Sequence, residues 1–456
     1  MAKIWDKGFD NDALIDRFTV GRDRELDLML APYDIMGTAA HITMLCKVGL
    51  LSAEELSVLL PELKSLYRDA CEGRFSIDEE VEDVHSQVEA ELTRRLGDIG
   101  KKVHTGRSRN DQVLVDLKLF SRERIRRTVG KLQRLFELLQ QGSERYRDVL
   151  MPGYTHLQVA MPSSFGLWFG AYAESLTADM SQLFAAWEVV NRNPLGSAAG
   201  YGSSAPLDRG LTTRLLGFDD LDYNVVYAQM SRGKTERIVA AAYASVAETL
   251  GRLAFDCCLY ASQNFAFIHL PDKMTTGSSI MPHKKNPDVF ELIRAHCNRI
   301  CGIQNSLRLI TTNLPSGYFR DMQLLKEEYL PLFDEMDDCL DIAAYAIENM
   351  EVEQSLMEDP RYRLAFTVEE VNHLVESGVP FRDAYRQVGQ AVQRGEFEYH
   401  GELHHTHEGS IGNLCNDRIA ARMSSLMARF DFAKVDAAID ELMGEGLGDY
   451  ESFVDK

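Results

Sequence analysis

Three short stretches of the sequence combine hydroxyls, cations and a histidine in ways that suit a small anion bearing several carboxylates. The first, TGSSIMPHKKNP, runs from Thr276 to Pro287 and places glycine and two serines ahead of two lysines in an otherwise acidic chain. Glycine beside hydroxyls suits an anion-binding turn, and prolines limit how such a loop folds over a ligand. The stretch predicts a lid-like loop that contacts an anion, whereas the ordinary alternative is a solvated lysine pair.

The second stretch, VHTGRSRNDQ from Val103 to Gln112, stands just ahead of a long helical pattern. Guanidinium groups bind carboxylates through two parallel hydrogen bonds, and the exposed amides of a helix start attract anions. The ordinary alternative is a polar capping loop in which Asn110 or Asp111 is the N-cap. Both interpretations stay open on this stretch alone.

The third stretch, YTHLQ from Tyr154 to Gln158, lies between Pro152 and Pro162. Proline restricts the backbone, so we expect His156 in a rigid connection between helices. A lone histidine is more often a hydrogen-bonded structural residue than a catalyst. Its unperturbed pKa near 6.5 nevertheless makes histidine the natural proton carrier at neutral pH.

Long amphipathic helices are the elements that must position these stretches. Apolar residues recur at three- and four-residue steps, strand-like alternation is scarce, and Pro- and Gly-bearing connections separate the helical segments. The predicted long segments are Val113–Gln141, Ser163–Val190, Lys234–Leu270, Asp288–Ile310 and Glu327–Met357, with shorter helices over Ser52–Cys71 and Asp78–Leu96.

The predicted fold class is all-α, with three helical domains around a central bundle of long helices. A chain of 456 residues exceeds the usual size of one core, which favours several packed units. The expected division is an N-terminal helical domain over residues 1–111, a central long-helix bundle over 112–359 and a C-terminal helical domain over 360–456.

Composition limits the classes of partner. The net charge of −21 repels nucleic acid and anionic membranes, so neither is an expected partner. Eight cysteines without a CxxC pair indicate free thiols in a reducing compartment. The N-terminal stretch MAKIWDKGFDNDALIDRF lacks the apolar segment of a leader peptide, and no stretch of 18 residues lacks polar interruption. We therefore expect a cytoplasmic protein.

Two motif-like stretches fail on context. SRGKTE, from Ser231 to Glu236, contains a GKT triplet, but Ala228 stands where a phosphate-binding loop needs its first glycine. GYGSSA, from Gly200 to Ala205, matches a dinucleotide fingerprint in its letters, yet no strand precedes it and Pro206 follows. Neither stretch predicts a nucleotide site.

A cluster of four histidines is the remaining candidate ligand set. No cysteine or carboxylate complements it at a zinc-site spacing, which favours a solvated loop over a metal site. The four residues are His400, His404, His405 and His407.

The chain resembles the argininosuccinate lyases of the fumarase and aspartase superfamily over nearly its whole length. GSSIMPHKKNP is similar to the signature loop of the superfamily, and HTGRSRNDQ is similar to a segment typical of argininosuccinate lyases. YTHLQ, and less closely EDVHSQVE from Glu82 to Glu89, agree with this assignment.

The resemblance implies homotetramers with each active site built from three subunits. It also implies reversible elimination of argininosuccinate to arginine and fumarate, in arginine biosynthesis, with no metal or organic cofactor. The alternatives are another fumarate-releasing lyase of the superfamily, such as an adenylosuccinate-type enzyme, and a crystallin-like structural protein.

The resemblance also assigns roles to residues of this chain. Ser278 is the expected base and His156 is expected near protonation of the departing nitrogen, although the two roles could be exchanged. Lys284 and Asn286 are expected to stabilise the charge that builds on the substrate carboxylate. The expected substrate contacts are Ser108, Arg109, Asn110, Thr155, Tyr318, Gln323, Lys326, Asp83 and His85, with Asp83 suited to the substrate guanidinium.

Two stretches depart from the family pattern. FTVGRDRELD, from Phe18 to Asp27, carries a two-residue expansion where the family commonly has a serine contact, so that contact is not transferred. LGSAAGYGSSAPLDR, from Leu195 to Arg209, also differs from the usual interhelical loop. These departures leave fine substrate preference open.

Overall fold

The computed structural model describes residues 13–444, which form long helices joined by loops and three short strand pairs. Residues 1–12 and 445–456 lie outside the described part, including most of the N-terminal stretch considered above for a leader peptide. The predicted all-α class is confirmed.

The helices of the described residues are labelled in chain order. Those before the central bundle are α1 Ala13–Val20, α2 Asp23–Asp27, α3 Ala31–Lys47, α4 Ala53–Cys71 and α5 Val84–Leu96. The central helices are α6 Arg109–Arg145, α7 Phe165–Val190, α8 Arg209–Leu215, α9 Val225–Met230, α10 Lys234–Tyr260, α11 Asp288–Ile310, α12 Leu325–Tyr329 and α13 Pro331–Asn349. The last are α14 Thr367–Glu376, α15 Phe381–Arg394, α16 Asn416–Met427 and α17 Phe432–Met443.

Six short strands form three separate pairs. The antiparallel hairpin β1 with β2 connects α6 to α7, whereas β3 with β4 is parallel and β5 with β6 is antiparallel. Their bounds are β1 Leu150–Thr155, β2 Gln158–Ser164, β3 Arg192–Asn193, β4 Asp220–Leu221, β5 Ile268–His269 and β6 Glu351–Val352.

Helix α6 is the longest element and begins at a well-formed cap. The Ser108 side chain accepts a hydrogen bond from the Asn110 amide, while Asp111 accepts one from the Ser108 amide. Apolar residues at three- and four-residue steps then face the core, among them Leu132, Leu135 and Leu139. At about 1.5 Å per residue the helix spans about 55 Å.

The relative directions of the long helices follow from contacts along them. The hydroxyls of Thr128 on α6 and Tyr243 on α10 share a hydrogen bond of 2.7 Å, and near the helix starts Lys118 and Glu236 line one small cavity. Helices α6 and α10 therefore run in the same direction. Helix α11 runs opposite to α10, since the Cys301 thiol donates to the Ala244 carbonyl, whereas the earlier Arg294 of α11 stacks on the later Phe255 of α10.

The far end of the bundle is marked by aromatic contacts. Near the C-terminus of α10, Asp256 accepts hydrogen bonds from Trp168 and Tyr172 at the start of α7. The Tyr154 ring at the end of β1 packs against Phe267, in the segment that follows α10. The hairpin and the connection from α10 to α11 therefore lie at the same end.

The predicted C-terminal ends of two helices were wrong. The helix predicted over Lys234–Leu270 stops at Tyr260, where a turn forms and Ala266 takes a positive φ of 52°. The helix predicted over Glu327–Met357 is divided at Pro331 and stops at Asn349. Pairing of β5 with β6 draws both segments out of helical conformation, which local sequence patterns do not reveal.

Other predicted boundaries are close. Helix α11 spans the predicted residues, and Ser52 and Ser164 are N-caps one position before α4 and α7. Helix α5 begins later than the predicted Asp78, because Asp83 is the N-cap and accepts the Ser86 amide. Polar side chains that accept backbone amides thus set several helix starts.

One large hydrophobic core runs through the described chain, from Leu26 to Met443. It includes residues of α16 and α17, which pack on α7 and α3 respectively. A small second cluster joins α14 and α15 through Val371, Ala384 and Val388. The division at residues 111 and 359 stays a prediction.

Helix α10 passes a simple test of length and apolarity for a membrane span, but 61% of its most apolar window is buried among the other described residues. It is therefore a core helix of the bundle. All eight cysteines are free, and Cys257, Cys297 and Cys339 are fully buried.

Two glycines in the long helices should respond oppositely to alanine. A Cβ at Gly166 would lie 2.6 Å from the Arg147 Cα and 2.9 Å from the Ser143 carbonyl oxygen, so Gly166→Ala should destabilise the fold by about 1–3 kcal/mol or more. At Gly130 a Cβ meets nothing within 4 Å, and Gly130→Ala should stabilise it by about 0.4–1 kcal/mol. Urea unfolding measures both variants; equal effects would contradict this description of α6 and α7.

Candidate active site

An open, highly charged cavity of about 210 Å³ lies where the N-termini of α6 and α10 meet the segment before α12. Of the predicted site residues, seven line it: Asp83, His85, Arg109, Asn110, Tyr318, Gln323 and Lys326. The cavity thus unites residues that are more than 200 positions apart in the sequence.

Lys326 anchors the floor of the cavity. Its ammonium lies 2.6 Å from Asp23 and 2.6 Å from Asp27, and its side chain is only 6% exposed. Burial would lower the pKa of Lys326, but the charges of Asp27 and Asp23 raise it. Burial raises the pKa of Asp23 to about 6 despite this cation. The three groups form a buried ionic cluster in which each charge depends on the others.

Arg109 and Arg320 bridge the cavity wall through carboxylates. The Arg109 guanidinium donates to Asp83 at 2.9 Å, and Arg320 donates to Glu82 at 2.7 Å. Burial would raise the pKa of Asp83, but the charges of His85 and Arg109 hold it below its usual value. Asp83, predicted to meet the substrate guanidinium, is therefore occupied by a guanidinium of this chain.

Gln323 faces the segment that departs from the family pattern. Its amide donates to the carbonyls of Thr19 and Val20 at 2.9 and 3.0 Å. Tyr318 is 40% exposed at the cavity surface. The expanded stretch that begins at Phe18 therefore reaches the cavity and supplies Asp23 and Asp27 to it.

The polar segment before α6 both caps the helix and contributes residues to the cavity, so it agrees with parts of both interpretations of its sequence. Ser108, rather than Asn110 or Asp111, is the N-cap, so that part of the capping alternative was wrong. Asp111 completes the capping box and also accepts the amides of Gly196 and Ala198 at 2.9 Å each. This carboxylate fixes the loop after β3 to the helix start, beside the cavity-lining Arg109 and Asn110.

His156 stands at the tip of the β1–β2 hairpin. Thr155 pairs with Gln158, so the turn consists of His156 and Leu157, with φ values of 54° and 56°. Positive φ at both turn positions is the requirement of a type I′ turn, which favours Asn and Gly and strains other residues. Thr155 and His156 are both exposed. The rigid connection predicted for YTHLQ is thus a strand-paired hairpin.

Ser278 lies in the loop between β5 and α11, and backbone amides face its hydroxyl. The amides of Ile280 and Met281 donate to the Ser278 Oγ at 3.4 and 3.2 Å. Hydrogen bonds from N–H groups stabilise an oxygen more as its negative charge grows. The local fold of the loop therefore favours the alkoxide form of this side chain.

The two lysines of this loop have different surroundings. Lys285 forms an ion pair with Asp272, whereas no ion pair of Lys284 occurs among the described residues. Lys284 is exposed. Asn286 and Thr276 join the two ends of the loop through paired backbone hydrogen bonds of 2.9 and 3.3 Å. The loop thus has a closed base and presents one ammonium group to solvent.

The predicted site residues separate into two groups at opposite ends of the bundle. The cavity lies at the starts of α6 and α10, whereas the hairpin with Thr155 and His156 follows the end of α6. The loop with Ser278, Lys284 and Asn286 connects the end of α10 to the start of α11. Helix α6 alone separates the two groups by about 55 Å within one chain.

The sequence interpretation missed several cavity residues. They are Asp23, Asp27, Glu82, Arg232 and Arg320. SRGKTE was rejected as a nucleotide motif, yet its Arg232 lines the cavity and its Gly233, with φ 81°, precedes α10. The departure at FTVGRDRELD was the one available signal for Asp23 and Asp27.

The histidine cluster does not gather into a ligand set within residues 13–444. His405 Nε2 lies 3.2 Å from Glu369, and the His405 and His407 rings stack at 6.1 Å. The one group of metal-compatible side chains in this range is Asp34, His85 and Asp116.

Comparisons with known proteins identify similar chains. Residues 8–302 match the lyase family. An argininosuccinate lyase from Phocaeicola vulgatus is 59% identical over 442 residues, covering 97% of this chain and 99% of that protein. One from Thermotoga neapolitana is 36% identical over 392 residues, covering 86% of this chain and 98% of that protein.

Solved structures support the fold. An EDDS lyase variant with bound fumarate has a TM-score of 0.72 at 22% identity, covering 98% of this chain and 97% of that one. A class II fumarase from Schistosoma mansoni has a TM-score of 0.66 at 16% identity, covering 91% of this chain and 95% of that one. These likenesses bear on the architecture alone.

Removing the cavity ammonium should destabilise the protein. Lys326→Met leaves Asp23 and Asp27 buried without a cation, which should lower the free energy of unfolding by about 3–5 kcal/mol. The matched control is Lys101→Met, because Lys101 pairs with Asp98 on the exposed surface, where such pairs contribute little to stability. Urea unfolding at pH 7 measures both; a loss in Lys326→Met no larger than the control would contradict a buried ionic cluster.

Proposed function

The chain belongs to the lyase family and, within it, to the argininosuccinate lyases, and from this membership we propose how it catalyses the reversible elimination of argininosuccinate to L-arginine and fumarate. The observation that carries the activity is the similarity to argininosuccinate lyases along nearly the whole chain. A role in arginine biosynthesis follows, and we propose that the protein acts in the cytoplasm.

The separation of the two groups of site residues supports an active site shared between subunits. The charged cavity lies at one end of α6, and the hairpin and the serine loop lie at the other. No motion of a loop within one chain spans a rigid helix of about 55 Å. We propose a homotetramer in which the cavity of one subunit is completed by the hairpin and loop of others, since association can juxtapose opposite ends of the bundle.

Proton removal is the difficult step. Breaking the C–N bond requires removal of a weakly acidic proton beside a carboxylate, so negative charge builds on that carboxylate in the transition state. Ser278 acts as the base. The amides of Ile280 and Met281 that face its Oγ support this role, because they stabilise the alkoxide that a serine base requires.

Lys284 is suited to stabilise the developing charge. Among the described residues its ammonium has no ion pair, in contrast to the adjacent Lys285. When the loop closes over the succinyl group, Lys284 supplies a cation and Asn286 an amide at the loop base. Donors fixed in advance contribute most where charge appears only in the transition state.

His156 protonates the departing nitrogen, directly or through water. The strained turn supports this role, because two positive-φ residues without glycine are retained only where the surroundings require them. Its exposure at the hairpin tip leaves the imidazole available to another subunit. The alternative assignment makes His156 the base and Ser278 the acid. The pH profiles of His156→Asn and Ser278→Ala distinguish the two assignments.

The cavity residues bind the substrate rather than react with it. Arg109, Asn110, Tyr318, Gln323 and Lys326 present donors in one cavity. Ser108 caps the helix that carries Arg109 and Asn110, and Thr155 belongs to the hairpin with His156. Acidic groups in the same cavity suit a cationic substrate portion. A ligand carrying both guanidinium and carboxylates matches this mixed charge.

The activity assay tests the proposal. With argininosuccinate supplied, fumarate absorbance should appear, and adenylosuccinate in a parallel assay should give a far lower rate, since a site built for one leaving group discriminates against another. Ser278→Ala, His156→Asn and Lys284→Met should each lower turnover by roughly 10²–10⁴.

Lys285→Met is the matched control for the loop, because its partner is Asp272 rather than a ligand. It should retain turnover within about twofold of the wild type, since surface pairs contribute little. A wild type that releases no fumarate would defeat the activity and favour the crystallin-like alternative. Near-native turnover in a site variant would remove that residue from the mechanism.

Mixed oligomers test the shared site. Arg109→Met alters the cavity and Ser278→Ala alters the loop at the opposite end, so each pure variant should be inactive. Dissociation and joint reassembly of equal amounts should restore about a quarter of wild-type activity, because random assortment pairs intact cavities with intact loops at that frequency. Turnover per site is measured against wild type treated identically.

The control mixture combines Ser278→Ala with Lys284→Met, two changes in one loop. Every loop in that mixture is defective, so no activity should return. Absence of recovery in the first mixture, with intact tetramers present, would show that cavity and loop come from one chain.

A further inference from the structure

Three buried side chains meet beneath the cavity. Asp34 of α3, His85 of α5 and Asp116 of α6 are 1%, 8% and 0% exposed. The His85 Nδ1 lies 2.7 Å from an Asp34 oxygen and 3.6 Å from an Asp116 oxygen. At these distances Nδ1 carries a proton and donates it to Asp34, which fixes the orientation of the ring.

The other ring nitrogen of His85 is oriented by that bond. Among the described residues Nε2 has no hydrogen-bond partner. The unpartnered side-chain atoms that are shut off from solvent do not include Nε2, so this atom keeps contact with solvent. His85 is otherwise buried and lines the cavity. Its small exposed portion therefore carries Nε2 to the cavity surface.

The charges around His85 determine its protonation. Burial alone would lower the pKa of His85, but the adjacent Asp34, and then Asp116 and Asp83, raise it to about 9. Other ionisable groups near this cluster are Arg107 and His104; burial and Arg107 lower the pKa of His104 to about 4, so it is neutral. The cavity side adds Arg109 and Lys326, which are paired with carboxylates.

We propose that Asp34 is a positioning residue that holds His85 as an imidazolium whose Nε2–H donates to a carboxylate of the substrate in the cavity. This inference rests on the proposed function and deepens it, because it assigns the group that gives His85 its orientation and charge. Asp34 lies beneath the imidazole and does not face the ligand. Asp116 stands 3.6 Å from the ring without a direct hydrogen bond, and burial and the charge of Asp34 raise the pKa of Asp116 well above its usual value, so Asp34 is the principal partner of His85.

His85 differs from Arg109, Arg320 and Lys326 in where its partner lies. Arg109, Arg320 and Lys326 are bound to carboxylates that themselves line the cavity, so a ligand must compete with Asp83, Glu82, Asp23 or Asp27 for them. The partner of His85, Asp34, does not line the cavity. An incoming carboxylate therefore meets an imidazolium donor with no protein acceptor to displace.

A bound divalent cation is the competing explanation, because the ligand atoms of the three residues lie within 4.8 Å of one another. Two observations favour the proton. The Nδ1 atom is already engaged with Asp34 at 2.7 Å, and a metal at Nδ1 would require that nitrogen to lose its proton. The buried guanidinium of Arg107 interacts with both Asp34 and Asp116 and would repel a cation.

The test is the pH dependence of the inhibition constants of fumarate and of arginine for the intact enzyme, because product binding does not require the proton transfers of Ser278 and His156. For the product whose carboxylate His85 binds, the wild type should lose affinity as pH rises through about 9, because His85 then loses its proton. Asp34→Asn keeps the shape but removes the charge, so this alkaline limb should move down by about 1–3 pH units. Affinity lost at pH 8 should therefore return toward wild type at pH 6, which a general structural defect would not produce.

Further variants separate charge from folding. Asp34→Glu retains the charge, and its alkaline limb should stay within about half a pH unit of wild type, because the nearby charge sets the shift. Asp179→Asn is the matched control, since Asp179 is a buried aspartate that accepts a hydrogen bond from Ser245 and does not line the cavity. The alkaline limb of this variant should stay where it is in the wild type. If Asp34→Asn does not fold, His85→Gln serves instead and should abolish the limb near pH 9.

The outcomes are distinct from those of the proposed function. A wild type without fumarate release defeats the function itself. Normal turnover combined with an unshifted limb in Asp34→Asn, or a limb that persists in His85→Gln, overturns this inference alone. Wild-type activity that EDTA abolishes and Zn²⁺ or Mn²⁺ restores, with the metal lost in Asp34→Asn, would also overturn it in favour of a cation. The product whose inhibition constant shows the alkaline limb is the one whose carboxylate His85 binds.

Discussion

The parallel alignment of two long helices, α6 and α10, is the constraint on which the rest of the structure depends. Buried polar contacts fix it, since the Tyr243 hydroxyl of α10 shares a hydrogen bond with the Thr128 hydroxyl of α6 and donates to the Arg124 carbonyl of α6 at 3.2 Å. Such contacts tolerate no slip between neighbouring helices, because a displaced hydroxyl would be left unpaired in an apolar core. The alignment brings the cationic starts of both helices together and sends their ends, with the hairpin and the serine loop, to the opposite side.

Charge compensation is the second organising feature of the cavity. Each cation that lines it is held by a carboxylate, so the ligand-free cavity is already ordered and nearly neutral in a chain of net charge −21. Ordering before binding reduces the entropy lost when the ligand arrives. Under the proposed function the cost is competition, because substrate carboxylates would have to replace those of the protein at Arg109, Arg320 and Lys326. Mixed charge also suits a ligand that is itself both cationic and anionic.

Much of the fold could be predicted from the sequence, because the long helices carry clear apolar periodicity and end near Pro, Gly or polar caps. Helix α11 was predicted to the residue, whereas the end of α10 was not, since the pairing of β5 with β6 joins segments about 80 positions apart. The same limit applies to the cavity. Arg109 and Lys326 were found by motif, but Asp23 and Arg232 contribute through tertiary position, which no local pattern encodes. Asp34 matters to His85 because it is buried beside the ring, and the sequence alone does not predict that a polar residue will be buried.

The turn at His156 and Leu157 limits where substitutions in the hairpin can raise the stability of the protein. Both positions hold left-handed backbone, for which an Asn-Gly pair is the favoured solution, and each present residue costs about 1–2 kcal/mol relative to glycine. At position 157 the side chain is 69% exposed and free of an assigned role, so evolution or a thermostability screen can relax the strain there. At position 156 relaxation would delete the imidazole. Half of the strain in this hairpin is therefore open to removal, and the other half is retained for the role proposed for His156.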